Sequence, residues 1–200
     1  MSTNGGATGP RLGEVVEASS TEFLVHCYGL YESAPLGALV KTDGAGSVLG
    51  IVHEVATTSI DPGRHPMAMG AEEETVESIY QSNPQLGRLY STRFRSLLVG
   101  HRSNGDLLRY LAPTPPRIHD HVYRCDGDEI AEFCSSLDFL PTLLNAPVPT
   151  QDEVVAAFLR AAAASHPRGE DFRVRAGKEL ARLLGGQLPR LNTLLKRLSP

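Results

Sequence analysis

A chain of 200 residues, 41% hydrophobic and 21% charged, is globular in composition and has room for one domain or for a small domain with a helical annex. It contains no Trp and only 6% aromatic residues, so its core must be largely aliphatic. A net charge of −4 excludes a broad electrostatic attraction for nucleic acid, and no apolar run reaches the roughly 18–20 residues that a membrane span needs.

The charge is unevenly placed. Residues 1–150 carry 10 Lys/Arg against 18 Asp/Glu, whereas residues 151–200 carry 9 against 5. An acidic body with a basic tail suggests two working surfaces, although short Arg-rich helices give the same count. The three cysteines, Cys27, Cys125 and Cys134, form no C-x-x-C pair, so they read as buried thiols in a reducing compartment. Residues 1–10 are rich in Gly, Thr and Asn, lack the apolar segment of a secretory signal, and read as disordered. The expected location is the cytoplasm.

From Arg11 the pattern turns to strands. Gly13–Glu17 and Glu22–Tyr28 are rich in β-branched and aromatic residues and flank a turn at Ala18–Thr21. Gly37–Lys41 reads as a third strand, and Asp43-Gly44 centres a hairpin connection to a fourth strand, Val48–Val55. Gly50 within that strand marks a bend or a close backbone approach. Ala71–Gln81 reads as a short acidic helix stopped by Asn83-Pro84. Gly87–His101 alternates as a long strand, and Leu107–Leu111 returns after a turn at Asn104-Gly105. Pro113, Pro115 and Pro116 hold an extended segment that leads to a last strand, His121–Arg124.

Helical spacing follows. Asp126–Glu129 caps a helix that places Ile130, Phe133, Cys134 and Leu137 on one face. Asn145–Pro149 reads as a linker. Thr150-Gln-Asp-Glu153 has the form of a capping box and opens a helix to about Ser165. A second helix covers about Glu170–Leu184, and a third begins at Pro189 with the stripe Leu191, Leu194, Leu195 and Leu198.

A series of Gly-anchored strands runs through the first part of the chain: Leu12-Gly-Glu-Val-Val16, Leu36-Gly-Ala-Leu-Val40, Leu49-Gly-Ile-Val52 and Leu97-Leu-Val-Gly100. The exit Ala112-Pro-Thr-Pro-Pro116 then leads to His121-Val-Tyr123. In this order they resemble the HAS barrel, the N-terminal β-barrel of HerA-type DNA translocases and rotary ATP synthase subunits. The resemblance covers about the first 130 residues and implies a small closed barrel suited to ring assembly and partner docking. In HerA-type proteins such a barrel also faces the partner nuclease. A P-loop ATPase domain follows the barrel in those families. Here no G-x-x-x-x-G-K-[ST] exists, so an ATPase role does not carry over.

Candidate chemistry is thin. His119 and His121 would share a strand face near Cys125, as zinc ligands do, but no fourth ligand has a defined spacing; solvated histidines at a strand edge are the plainer reading. His26 and Cys27 are adjacent on a strand, point to opposite faces, and make a poor catalytic pair. Glu72–Glu74 with Glu77 reads as a solvated acidic surface. Arg88, Arg93 and Arg95, interleaved with Tyr90 and Phe94, have the make-up of a single-strand binding surface, yet Tyr90 and Phe94 also suit a core face in an acidic barrel.

The expected fold is α+β: disordered residues 1–10, a HAS-like barrel over 11–125, a connecting helix over 126–145 and a helical subdomain over 150–198. The expected function is a non-enzymatic interaction or adaptor module, without cofactor or metal, accessory to a ring ATPase or nuclease. The partner surface is placed on Arg190, Leu191, Leu194, Leu195, Lys196 and Leu198; packing of that leucine stripe into a small bundle is the alternative. A second functional reading is a nucleic-acid-associated protein that uses the basic C-terminal helices. Self-association is compatible with either.

Overall fold

Alternating apolar residues and Asp-Gly or Asn-Gly turns dictate a chain of antiparallel strands, and the computed structural model, which describes residues 9–44, 46–61, 63, 65–71, 73–166 and 168–198, has seven of them. They are β1 (Arg11–Ala18), β2 (Glu22–Cys27), β3 (Leu39–Thr42), β4 (Val48–Ser59), β5 (Tyr90–Ser103), β6 (Asp106–Leu108) and β7 (His121–Arg124). The sheet order is β2-β1-β7-β3-β4-β5-β6, and β2 pairs back onto β5. Six strands therefore close a barrel, with β6 as a short hairpin on its rim. The expected disorder of residues 1–8 lies outside the described residues.

One face of each strand fills the barrel. Val15, Phe23, Val25, Val40, Val52, Phe94, Leu98 and Val122 form the interior cluster. A barrel this small must turn sharply, and it does so at bulges in β1 and at two register shifts between β4 and β5. Gly50 sits at one of these shifts. A Cβ there would lie 2.7 Å from a ring carbon of Phe23 and 2.8 Å from the Ser96 Cβ, which is why the bend carries glycine.

The outer faces of β3, β4 and β5 are apolar as well. Leu39, Leu49, Ile51, Leu97 and Val99 point away from the barrel interior into a second core, built with the helices α2 (Gly127–Phe133), α3 (Leu140–Leu144), α4 (Gln151–Ser165), α5 (Gly169–Leu183) and α6 (Leu188–Leu198). Phe133, Phe139 and Phe158 stack at its centre, with ring centroids 4.6, 5.3 and 6.2 Å apart. The approach is tightest at Gly37, whose φ is 78° and where a Cβ would come within 2.5 Å of the Phe158 backbone nitrogen. Barrel and helices thus share a continuous apolar interface, and α+β describes the whole.

Polar contacts fix the same junction. Asp126 and Glu129 form a reciprocal capping box at the start of α2, and Lys41 of β3 pairs with Glu129. Arg109, just past β6, donates to the carbonyls of Phe133 and Glu132 and to Ser135, closing the C-terminal end of α2. The expected capping box at Thr150 is absent: its backbone, at φ −112° and ψ 32°, leaves the hydroxyl without a cap bond. Residues 126–145 hold two helices packed in the core rather than one connector. The strand expected over Leu107–Leu111 stops at Leu108, where the chain turns and the Tyr110 carbonyl reaches the His101 ring.

Two stability outcomes follow. Leu194 is fully buried in the helical core, so Leu194→Ala should cost about 3 kcal/mol in urea unfolding, with barrel and helices lost in a single transition. A chain ended after Asn145 loses α4–α6, bares Leu49, Ile51, Leu97 and Val99, and should aggregate or fail to give a cooperative melt in circular dichroism.

Candidate functional site

Beyond Ala56, β4 and β5 leave the barrel as a two-stranded ribbon, with Thr57–Ser59 paired against Tyr90–Thr92. Thr57 and Thr58 are exposed on this ribbon and Thr92, opposite Thr57, is buried; all three suit it because β-branched side chains favour extended backbone. The backbone bond from Ile60 N–H to the Leu89 carbonyl, 2.9 Å, closes its tip. The connection between the strands folds into α1 (Val76–Ser82), capped by the Thr75 hydroxyl, and a short 3-10 helix, Pro84–Arg88. We refer to the ribbon and its tip as the arm.

The arm gathers exposed apolar side chains. Met67 is 85% exposed, Val76 63%, Ile60 50% and Met69 46%. Ile60, Met67, Met69, Leu86 and Leu89 line a pocket of about 360 Å³ between the loop after β4 and the 3-10 helix. The thioethers are unbranched and adjust to the shape of what they meet. The charged or titratable groups along its wall are Asp61, His65, Arg88 and Tyr90, whereas Glu73, Glu74 and Glu77 lie on the next segment of the arm and are not among the lining residues. The arrangement is a largely apolar, adaptable concavity whose wall holds both an acidic and a basic side chain.

The leucine stripe expected to face a partner is turned inward. Leu191, Leu194 and Leu198 are buried in the helical core, Leu195 packs against it, and only Lys196 is exposed. Arg190 donates to both carboxylate oxygens of Asp152, at 2.7–3.1 Å, and also to Gln151 and the Leu144 carbonyl. Docking through those leucines would require α6 to leave α4. The alternative reading of the stripe, packing into a small bundle, describes this arrangement.

The basic tail is also largely neutralised from within. Arg197 pairs with Glu153, Arg173 with Glu170, Arg182 with Glu179 and Arg168 with Asp171, while Arg160 and Arg175 donate to backbone carbonyls. Among the described residues 151–200, Lys178 and Lys196 alone have no such partner. On the barrel, Phe94 is core, and Arg95 lies 3.4–3.6 Å from each of Glu17, Glu22 and Glu54. Three carboxylates around one guanidinium repel phosphate.

The histidines are likewise occupied. His119 is on a turn, not a strand, at φ 72°, with Nδ1 2.8 Å from Glu14. His121 bonds Asp43 at 2.9 Å, and no group of three or more metal-type ligands forms among the described residues. Glu14 also accepts from the Tyr28 hydroxyl at 2.7 Å; that bond, then the one to His119, holds its carboxyl below the usual range. Burial pushes the thiols up, Cys27 to about 11 and Cys134 to about 12, so neither is poised as a thiolate. No helix among the described residues is long and apolar enough to cross a membrane.

Composition gave no pointer to the arm pocket, because Ile60, Met67 and Met69 lie in a loop without periodicity. Two methionines in three residues between Pro66 and Gly70 were the only local signal.

One buried titratable group gives a pH handle. His53 sits on the outer face of β4, and its Nε2, 3.2 Å from Glu22 but poorly aligned for a hydrogen bond, is shielded from water. Burial lowers its pKa, outweighing the attraction of Glu22. The folded state therefore binds this proton less readily than the unfolded one. Its stabilising contribution is complete above the unfolded value of about 6.5 and is lost as pH falls toward the folded value. Between pH 7.5 and 5.5 the native chain should lose more melting temperature than His53→Leu does; equal losses would remove His53 from the titration. Searched against protein-family models and against curated proteins, the chain has no match in either.

Proposed function

We propose that this protein is a non-enzymatic interaction module whose arm receives the apolar face of an amphipathic helix of a protein partner. The observation that carries the proposal is the apolar pocket of about 360 Å³ at the arm tip, open to solvent and walled by Ile60, Met67, Met69, Leu86 and Leu89. Exposed apolar surface on an otherwise polar protein marks a binding site. Met67 and Met69 accommodate an apolar helix face, because thioether side chains adapt to the shape they meet.

The body supplies rigidity. Strands β4 and β5 run from the doubly packed core out to the pocket, so the site is mounted on the stiffest part of the molecule. The resemblance of the first part of the chain to the HAS barrel directs the search for the partner toward ring ATPases and their nucleases, with this chain as an adaptor that does not itself hydrolyse nucleotide. The nucleic-acid reading is weaker, since it would rest on Lys178 and Lys196.

The experiment puts a photo-crosslinking amino acid in place of Met67, irradiates intact cells, and sequences the linked peptide. The expected product is a single protein linked through an amphipathic helical segment. Ile60→Asp and Leu89→Asp should each lower the yield by about tenfold at unchanged melting temperature, as loss of central apolar anchors does. An unchanged yield in both variants would remove the arm from the interface.

A further inference from the structure

The arm is not held by its ribbon alone. Tyr31, in the loop after β2, reaches Tyr80 on α1: the two hydroxyls share a hydrogen bond of 2.7 Å, and the rings meet edge to face at 89° with centroids 6.5 Å apart. Helix α1 buries no residue of its own, packing on Pro84–Arg88 and, through Ile79, beside Gly70. Seven residues are too few to hold a helix in water without outside support. Among the described residues, the bond to Tyr31 is the only hydrogen bond that ties α1 to the barrel body.

Tyr31 adopts a left-handed backbone, φ 66°, which a bulky side chain takes only where its surroundings compensate. Here they do so at both ends of the residue. Its N–H donates to the Thr92 hydroxyl at 2.7 Å, and Thr92 in turn shares a hydrogen bond of 2.8 Å with Thr57 across the ribbon. One residue is thus fixed to the root of the arm by its backbone and to the tip of the arm by its side chain. The Tyr80 phenol, pushed up to about 12 chiefly by its bond to Tyr31, stays neutral throughout the physiological range, so the link does not depend on ionisation.

We propose that Tyr31 and Tyr80 form a latch that holds α1 against the barrel and thereby presets the arm pocket for its partner. The proposal rests on the docking role given to the arm above. A preset pocket pays less ordering entropy on binding, and α1 packs on Pro84–Arg88, the segment that gives Leu86 and Arg88 to the pocket wall, so a released α1 leaves that wall without its support. The two states differ by one exposed hydrogen bond and one ring contact, so a modest perturbation shifts the balance between them.

The latch is tested first without any partner. A Glu-specific protease cuts after Glu77, inside α1, only when the helix opens, so the rate of nicking at that bond in the full chain reports latch opening. Tyr31→Phe and Tyr80→Phe each remove the same hydrogen bond and keep the rings. Each should raise the nicking rate by roughly 3- to 10-fold, and the double variant should do no more than either alone. Nicking at the native rate in both single variants, or effects that multiply in the double variant, would overturn the latch.

The second readout is the cross-link from position 67. With the latch in place, its yield should fall in Tyr80→Phe. An undiminished yield overturns the regulatory role even where nicking rises. If the native chain gives no cross-link at all, the docking role fails, and the nicking rates still decide the latch.

Discussion

The structure depends on two strands that are apolar on both sides. Along Val48–Val52 and Leu97–Val99 every second residue enters the barrel, and the residues between are just as hydrophobic. A closed barrel satisfies one side. The other can be satisfied only by a second layer, since leaving side chains the size of Leu49, Ile51 and Leu97 in water costs about 1.5–3 kcal/mol each. The five helices after β7 supply that layer. Their amphipathic spacing, the aromatic cluster at Phe133, Phe139 and Phe158, and the close passage at Gly37 are consequences of this requirement.

The same two strands explain why the molecule has an arm. Hydrogen-bonded to each other and buried on both faces, they are rigid enough to continue past the barrel as a ribbon and carry side chains that no other part of the body covers. Charge divides along the same line. The cations of the helical layer face carboxylates or carbonyls of their own neighbourhood, as Arg190 faces Asp152 and Arg197 faces Glu153, and so they serve cohesion. At the arm tip, exposed Met67 and Met69 instead share a pocket wall with Asp61, His65 and Arg88.

The strands were legible because their signals are local. Alternation places Val15, Val25 and Phe94 inward, Asp-Gly and Asn-Gly give the turns, and Asp126 with Glu129 spells out a cap that the structure makes. Thr150 and Glu153 spell the same cap, but whether it forms is set by backbone angles that packing imposes. Helix α3 escaped notice because Leu140–Leu144 is too short to show a period and contains Pro141. The covering of the barrel had a signal in the unbroken apolar runs Val48–Val52 and Leu97–Val99, which suit strands packed on both faces. The leucines of α6 mark an apolar face, and pattern alone does not say whether α4 or another molecule covers it. The arm pocket was out of reach, because its walls come from segments about 20 residues apart that meet only once β4 and β5 pair.

The order of the chain adds a temporal consequence. Closing the barrel requires β1 to find β7, whose partner residues lie more than a hundred positions away, as in Gly13 with Val122. The helical layer that seals the outer face comes later still. A nascent chain therefore emerges from the ribosome with Leu49, Ile51, Leu97 and Val99 ready and nothing to lay over them until α4 has been made. At an elongation speed of about 5–20 residues per second, that interval lasts for seconds. The doubly apolar strands that make the finished molecule rigid also give it a sticky adolescence, during which a chaperone has the most to offer.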